Sequence, residues 1–179
     1  MRWQDIDQQT CSVARALAIV GDRWTLLILR DVFLGTRRFG DLQRQLDISR
    51  HRLSDRLKKL TDSGVLTRRR YQEKPERFEY RLTEKGLALY PIMLTLAQWG
   101  TDWCDDGHGA PVDYLHKPCG HKTRPELCCS ECHNKLLPQE VQATVGPGLA
   151  AAIERGEGMF SQSGGTAAST RLPPYLRSS

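Results

Sequence analysis

The sequence predicts a mainly α-helical domain with a small β-hairpin, an α+β fold, followed by a small Cys/His-rich extension. As far as Trp103, apolar residues recur at helical spacing in several short segments, and two segments with strand character stand between them. The run at 105–109 then breaks this periodicity with Asp and Gly. Four of the six cysteines fall between positions 119 and 132, so the second region differs chemically from the first.

These shifts in composition set the predicted domain boundaries. Residues 1–105 form the helical domain with its hairpin, and residues 106–150 form the extension, whose Cys/His spacing is typical of a zinc ribbon. Residues 151–179 are predicted to be a flexible tail, because Gly, Ser, Thr, Ala and Pro dominate its composition.

Charge and hydropathy limit the classes of function. The 179 residues include 26 Lys and Arg against 21 Asp and Glu, and the basic excess lies in residues 1–103, whose net charge is +6. Such a domain favours a polyanionic partner. No apolar run approaches the ~20 residues of a membrane span, and no apolar signal core follows the first residues, so we expect a cytoplasmic protein without membrane contact. In the cytoplasm, cysteines occur as free thiols or metal ligands more often than in disulfide bonds.

Four helices are expected before the hairpin, because each segment carries its apolar residues on one face. They are predicted at residues 11–20, 23–34, 39–46 and 50–63. Thr10 is the candidate N-cap of the first helix, and Gly64 is the expected stop of the fourth. A short turn at 47–49 separates the third helix from the fourth.

The hairpin and a last helix complete the domain. The strands are predicted at residues 65–71 and 78–82, with the hairpin tip at 74–76. Thr83 then caps a long helix that runs to about Trp103 and must accommodate Pro91 with a kink. Two amphipathic helices joined by a short turn and followed by a β-hairpin form a winged helix-turn-helix.

The fourth helix has an outward face that suits DNA. With Leu53 at the centre of the buried face, Leu57 and Leu60 lie within about 40° of it. Between residues 50 and 70, eight basic side chains are opposed by only two acidic ones, which favours phosphate contacts. A basic run also occurs as an ordinary solvated surface, but here it coincides with the helix order and the hairpin. The predicted DNA-contacting residues are Arg38, Ser49, Arg50, His51, Arg52, Ser54, Lys58, Arg68, Arg69, Arg70, Lys74 and Arg77.

A series of motifs carries a family resemblance. They are VGDRWTLLILRD (20–31), RFGDL (38–42), IS (48–49), LSDRLKKL (53–60), GVLTR (64–68) and EYRLTEKG (79–86), with Pro91 and 99–100 closing the pattern. Over residues 11–103 the chain resembles the HxlR-type transcriptional regulators, bacterial winged-helix proteins related to the MarR family. The resemblance implies a homodimer, joined through the first and last helices, that binds a pseudo-palindromic DNA operator.

Cys11 is a candidate redox sensor. It stands at the start of the first helix, where the helix dipole favours the thiolate, and Arg15 follows one turn later. The resemblance adds that several HxlR-type regulators sense quinones, aldehydes or oxidants through a cysteine at this position. Their pattern is often Cys-Pro-Val, and this chain has Ser12 in place of the proline. The alternative is a partly buried small residue without redox function.

Two short Cys/His pairs in the extension predict a structural zinc site. His116 and Cys119 form the first pair, Cys129 and Cys132 form the second, and each pair encloses two residues. Two such turns facing each other build a tetrahedral site. Other ligands that the spacing permits are Cys128, His121 and His133. A reduced thiol cluster or a disulfide remains the alternative, and Cys104 either pairs across a dimer axis or has no role.

The sequence therefore predicts a DNA-binding transcriptional regulator and not an enzyme. None of the G-x-S-x-G, P-loop or H-E-x-x-H patterns occurs in the chain. We expect a homodimeric repressor that binds double-stranded operator DNA and takes a small electrophile or oxidant as inducer. The alternative is a thiol- or metal-based redox protein in which the Cys/His segment carries the activity, and a third interpretation is a protein–protein adaptor.

Overall fold

The computed structural model describes residues 3–156, and it contains seven α-helices, two 3₁₀ helices and four β-strands within that range. The helices are α1 (Ser12–Val20), α2 (Arg23–Phe33), α3 (Phe39–Leu46), α4 (Arg50–Asp62), α5 (Glu84–Leu87), α6 (Tyr90–Trp103) and α7 (Pro147–Glu154). The strands are β1 (Leu66–Gln72), β2 (Arg77–Leu82), β3 (Leu115–His116) and β4 (His121–Lys122). The 3₁₀ helices are Trp3–Gln8 and Pro138–Glu140.

The chain folds into two compact units. One spans Trp24–Lys135, and the other combines the described residues of Met1–Arg23 and Leu136–Ser179. This grouping by contacts cuts across the boundaries drawn from composition at residues 105 and 150, which stay predictions. Among residues 3–156, every helix is too short or too polar to cross a lipid bilayer.

The core of the larger unit is built from the apolar stripes of α2, α3 and α4. Its most deeply buried apolar side chains are Ile28, Leu29, Leu42, Leu53, Leu57, Leu60, Val65 and Leu66. The three leucines of α4 follow one another at intervals of four and three residues, so they occupy one side of the helix. Their burial leaves the opposite side of α4 to solvent, and the sequence-based expectation for this helix is confirmed.

The winged helix-turn-helix arrangement is also confirmed. β1 and β2 pair antiparallel, with Leu66 opposite Leu82 and Arg70 opposite Phe78, and a bulge follows Arg70. The predicted tip at 74–76 lies in the turn between these strands. Alternation along β1 places Arg68 and Arg70 on one face of the hairpin and Arg69 on the other.

Thr83 joins the end of α4 to the start of α5. Its hydroxyl donates to the carbonyl of Gly64 (2.6 Å) and accepts from the N–H of Gly86 (3.1 Å). The Lys85 ammonium also donates to the carbonyl of Ser63 (2.8 Å). Gly86 is buried against this junction, and a Cβ built there meets the carbonyl oxygen of Val65 at 2.3 Å. The junction therefore requires glycine at this position.

Two sequence-based details of the helices are wrong. The N-cap of α1 is Cys11 rather than Thr10, because the helix starts at Ser12. The long helix after Thr83 is also two helices: α5 ends at Leu87, and α6 begins at Tyr90 with Pro91 in its first turn. Proline is favoured there because the first turn leaves its N–H groups without intrahelical partners, so Pro91 starts a helix instead of kinking one.

The segment after α6 has defined turns but no apolar core. Between residues 102 and 148, no side chain is buried, and only Tyr114, Pro125 and Cys129 are half-buried. The tail predicted from residue 151 begins inside α7, whose Ala152 is fully buried. The rest of that predicted tail, residues 157–179, lies outside the described residues.

Candidate nucleic-acid interface

The turn between α3 and α4 positions the start of α4. Asp47 ends α3 in the left-handed conformation (φ 47°), which Asp tolerates better than most residues. Ser49 is the N-cap of α4, and its hydroxyl accepts a hydrogen bond from the backbone N–H of Arg52 (3.4 Å). Ser49, which the sequence predicts as a DNA contact, thus also fixes the first turn of the helix that carries the other candidates.

The outward face of α4 brings together the predicted base-contacting side chains. Residues Arg50, His51, Arg52, Ser54 and Lys58 are all exposed. The Arg50 guanidinium lies over the Phe39 ring, with its Cζ 5.5 Å from the ring centroid. That contact orients the Arg50 side chain at the start of the helix, while the N–H donors of its guanidinium stay accessible.

Two acidic residues share this face of α4. The His51 Nδ1 atom lies 3.0 Å from Asp55 Oδ2, and the Lys58 ammonium pairs with Asp62. Both pairs join exposed side chains one helical turn apart, where ion pairs contribute little to stability. The Lys58 ammonium therefore remains able to exchange its carboxylate partner for a phosphate.

The hairpin carries the second group of cations. The Cζ atom of Arg68 lies 4.0 Å from the centroid of the Phe78 ring, which orients this guanidinium across the β1–β2 pair. Arg70 instead pairs with Glu73 (3.5 Å) and Glu76 (3.7 Å) in the turn, so its charge is partly compensated. Arg69, Lys74 and Arg77 are exposed, as their predicted role requires.

A polar cavity of about 540 Å³ lies between the start of α3 and β2. It is lined by Gly35, Thr36, Arg37, Arg38, Asp41, Arg44, Gln45 and Glu79. Arg38 also stacks on Tyr71, with its Cζ 4.5 Å from the ring centroid. Arg38 is among the residues predicted to contact DNA, whereas Arg37 and Arg44, which line the same cavity, are not. The sequence indicates that Arg37 lies near Arg38 because the two residues are adjacent, whereas only the fold brings Arg44 to the same cavity.

Cys11 is half-buried at the N-terminus of α1. The Arg15 guanidinium, expected to support its thiolate, donates to the Ser12 hydroxyl instead (3.4 Å). Cys11 therefore lies at the start of the helix as predicted, but the Arg15 guanidinium hydrogen-bonds to Ser12 and not to the Cys11 thiol.

The Cys/His segment contains two separate ligand pairs. The His116 Nδ1 atom lies 3.2 Å from the Cys119 Sγ atom. In the second pair, backbone N–H groups of Cys132 and Glu131, with the Cys132 side chain, lower the pKa of the Cys129 thiol by hydrogen bonding to its thiolate. No group of three or more His, Cys, Asp or Glu side chains arranged to hold a metal occurs among residues 3–156.

Comparison with known proteins places these features in a family. A profile of the HxlR-like helix-turn-helix family matches residues 19–108. The HTH-type transcriptional regulator Rv3095 of Mycobacterium tuberculosis, itself uncharacterized, is 44% identical over 142 residues, which cover 79% of this chain and 90% of Rv3095. YvaP of Bacillus subtilis, described in the same words, is 40% identical over 92 residues, 51% of this chain and 85% of YvaP.

Solved structures agree with this fold. The crystal structure of PA1607, a proposed transcription factor, has a TM-score of 0.69 at 33% identity and covers 76% of this chain and 96% of its own. The redox regulator HypR in its reduced form has a TM-score of 0.50 at 30% identity, covering 53% of this chain and 95% of HypR.

Proposed function

Because the chain belongs to the HxlR-like helix-turn-helix family of transcriptional regulators, and not to a family of enzymes, we propose that it is a homodimeric repressor that binds operator DNA through α4. The observation that carries this proposal is the face of α4, on which Arg50, His51, Arg52, Ser54 and Lys58 are exposed while the leucines are buried. The N-terminal residues of such a helix reach base edges in the major groove. The protein acts in the cytoplasm, where this partner is found.

Selection of bound fragments from genomic DNA tests the proposal. Purified protein incubated with sheared DNA should retain a small set of fragments that share an inverted repeat, and the DNA upstream of its own gene is the first fragment to examine. Retention of fragments without any common sequence, at low and at moderate salt alike, contradicts sequence-specific binding.

Lys58→Ala should weaken binding to all DNA sequences to a similar extent. A lysine that contacts a phosphate contributes through counterion release, so its loss reduces the slope of log K against log salt concentration by about 1. Titrations of operator and unrelated DNA at four salt concentrations measure that slope. Lys59→Ala, on the flank of the same helix, is the matched control, and an equal effect in both variants argues against a specific contact of Lys58.

The homodimer is proposed from the apolar surface of α6. In this fully described helix no side chain is buried, and Ile92, Leu96, Trp99 and Trp103 are exposed at intervals of four, three and four residues. They therefore form one stripe along the helix. A contiguous apolar stripe of this size on a single chain is characteristic of an interface.

Other faces of α6 support the same inference. With α2 and residues 104–114, the helix encloses a cavity of about 740 Å³ whose lining includes Leu27, Phe33, Met93 and Ala97. A cavity of this volume within one chain leaves the packing of α6 incomplete. In the other compact unit, α1 exposes Val13 and Leu17 on its surface. The family resemblance assigns both helices to the dimer contact.

We further propose that Cys11 makes the repressor sensitive to oxidants or electrophiles. Its thiol lies half-buried at the start of α1, and the related fold of the redox regulator HypR has been solved in reduced and oxidised forms. Modification of this half-buried thiol adds bulk to a helix proposed to join the two subunits. The inducer is therefore a small oxidant or electrophile that releases the protein from DNA.

The Cys11→Ser variant should bind operator DNA as the parent does but should keep binding after treatment with diamide or a quinone. Serine has nearly the size of the cysteine it replaces and removes the nucleophilic thiol. Fluorescence anisotropy of labelled operator, before and after treatment, measures the difference. Cys104→Ser is the control, since its thiol is exposed outside α1. Equal release of the parent and Cys11→Ser contradicts the assignment.

A further inference from the structure

The extension holds a defined conformation without buried side chains. Residues 104–135 contain two short antiparallel pairings, although every side chain between 102 and 148 is at least partly exposed. The five cysteines of residues 104–135 are free thiols, so disulfides do not supply the missing stabilisation. Small units of this kind need a covalent or metal cross-link, because their apolar burial is too small to offset chain entropy.

The two Cys/His pairs, His116/Cys119 and Cys129/Cys132, lie in turns of similar backbone conformation. In the first turn the N–H groups of Cys119 and Gly120 donate to the carbonyl of His116 (3.1 and 2.8 Å), and Gly120 has φ 71°. In the second, the N–H of His133 donates to the carbonyl of Cys129 (3.0 Å), and His133 has φ 60°. A left-handed residue thus follows the second member of each pair, and at His133 this conformation occurs without glycine.

Each turn also closes a hairpin of its own. β3 and β4 pair on either side of the first turn, with His116 opposite His121. Around the second turn, Cys128 bridges to Lys135, and the N–H of Cys129 donates to the carbonyl of Asn134 (2.9 Å). The chain therefore presents two ligand pairs at the tips of two hairpins, which is the construction of a zinc ribbon.

The spacing within the first pair matches the size of a zinc ion. Tetrahedral bonds of about 2.3 Å to sulfur and about 2.0 Å to nitrogen place neighbouring ligand atoms about 3.5 Å apart. The separation of His116 Nδ1 and Cys119 Sγ is 3.2 Å. Each pair alone offers two ligands, and among residues 3–156 no third ligand joins either of them.

We propose that one Zn²⁺ per chain joins the two turns through His116, Cys119, Cys129 and Cys132. Three thiolates and one imidazole are a ligand set that zinc prefers, and four protein ligands leave no open position, so the site is structural. Binding releases the protons of the three thiols to solvent. The exposed position of both pairs permits the two hairpins to approach around the ion, which supplies the cross-link that the segment lacks.

The site also stabilises the surroundings of α6. Arg124, which lies between the two turns, forms an ion pair with Asp102 in the last turn of α6. The side chain of Gln98 donates to the same carboxylate (2.8 Å). A cross-linked extension holds this contact in place, and a loosened one releases it.

Metal analysis of the full chain, purified without added zinc, tests the proposal. We expect one zinc per chain in the parent and less than one tenth of that in Cys119→Ser and in Cys129→Ser. Cys128→Ser is the matched control, because it changes the same atom in the neighbouring exposed residue and should keep its zinc. Circular dichroism verifies that the helical domain of each variant is folded.

Replacement of zinc by Co²⁺ reports the ligands independently. The parent and Cys128→Ser should show two signals, the intense visible bands of tetrahedral cobalt and the absorption of thiolate-to-metal charge transfer. Both signals should be much weaker in Cys119→Ser and Cys129→Ser. Chelation should speed tryptic cleavage after Lys122. Three results overturn the proposal. They are a parent that contains no metal and whose extension resists trypsin equally well with and without chelator, a zinc content of half an equivalent per chain, and zinc that is retained in Cys119→Ser or in Cys129→Ser. None of them bears on whether α4 binds DNA.

Discussion

The double variant Arg50→Ala/Arg52→Ala should lose operator binding almost entirely. Both guanidinium groups are exposed in the first turn of α4, where a helix in the major groove comes closest to base edges. A good bidentate contact between arginine and guanine contributes about 1–3 kcal/mol of discrimination, so two of them correspond to about 2–6 kcal/mol per subunit. Both subunits of the proposed dimer carry the change, so we expect a fall in affinity of at least about 10³-fold, together with weaker preference for operator over unrelated DNA.

The control for this variant removes two positive charges elsewhere. Lys122→Ala/Lys135→Ala has the same net charge, but both residues are exposed and lie outside α4, the hairpin and the two helices proposed to join the subunits. Anisotropy titrations at one fixed salt concentration compare the two variants on operator and on scrambled DNA. If both lose the same affinity, the effect is one of net charge, and Arg50 and Arg52 are not the residues that distinguish the operator.

Trp99→Glu should convert the protein to a monomer. Trp99 is 57% exposed in the middle of the α6 stripe, and a carboxylate there cannot be buried against a second copy without a large desolvation cost. Loss of the dimer leaves one α4 helix per molecule, so operator affinity should fall about 10²–10⁴-fold through the loss of bivalent binding. Sedimentation velocity and operator titration measure the two effects on the same samples.

Leu127→Glu provides the comparison, because it introduces the same charge at a residue that is 62% exposed outside α6. It should remain dimeric and bind the operator as the parent does. A Trp99→Glu protein that sediments as a dimer places the subunit contact on another surface. A monomer that keeps full operator affinity shows that a single α4 helix is sufficient for recognition.

Sequence periodicity was sufficient to predict the parts of the fold that depend on one helix and its buried face. The bounds of α3 are as predicted, and the burial of Leu53, Leu57 and Leu60 follows from their spacing. The exposed positions of Arg50 and Arg52 follow in turn, because residues opposite a buried stripe face solvent. These features require no knowledge of which elements pack together.

The features that sequence could not predict depend on contacts between distant residues. Pro91 was compatible with a kink or a helix start, and in the fold α5 ends at Leu87 while α6 begins at Tyr90 with Pro91 in its first turn. The compensation of Arg70 by Glu73 and Glu76 arises from the shape of the hairpin turn. Arg44 reaches the polar cavity only because α3 lies beside β2.

The Thr83 junction has a consequence for allosteric coupling. Its hydrogen bonds, with that of Lys85, attach the carboxyl end of α4 to α5, and only two residues separate α5 from α6. A displacement of α6 therefore reaches α4 through this short path, and the hairpin need not deform. In the proposed dimer, the orientation of α6 then sets the distance between the two α4 helices, so a signal that rotates α6 changes operator affinity without touching the proposed DNA-binding surface.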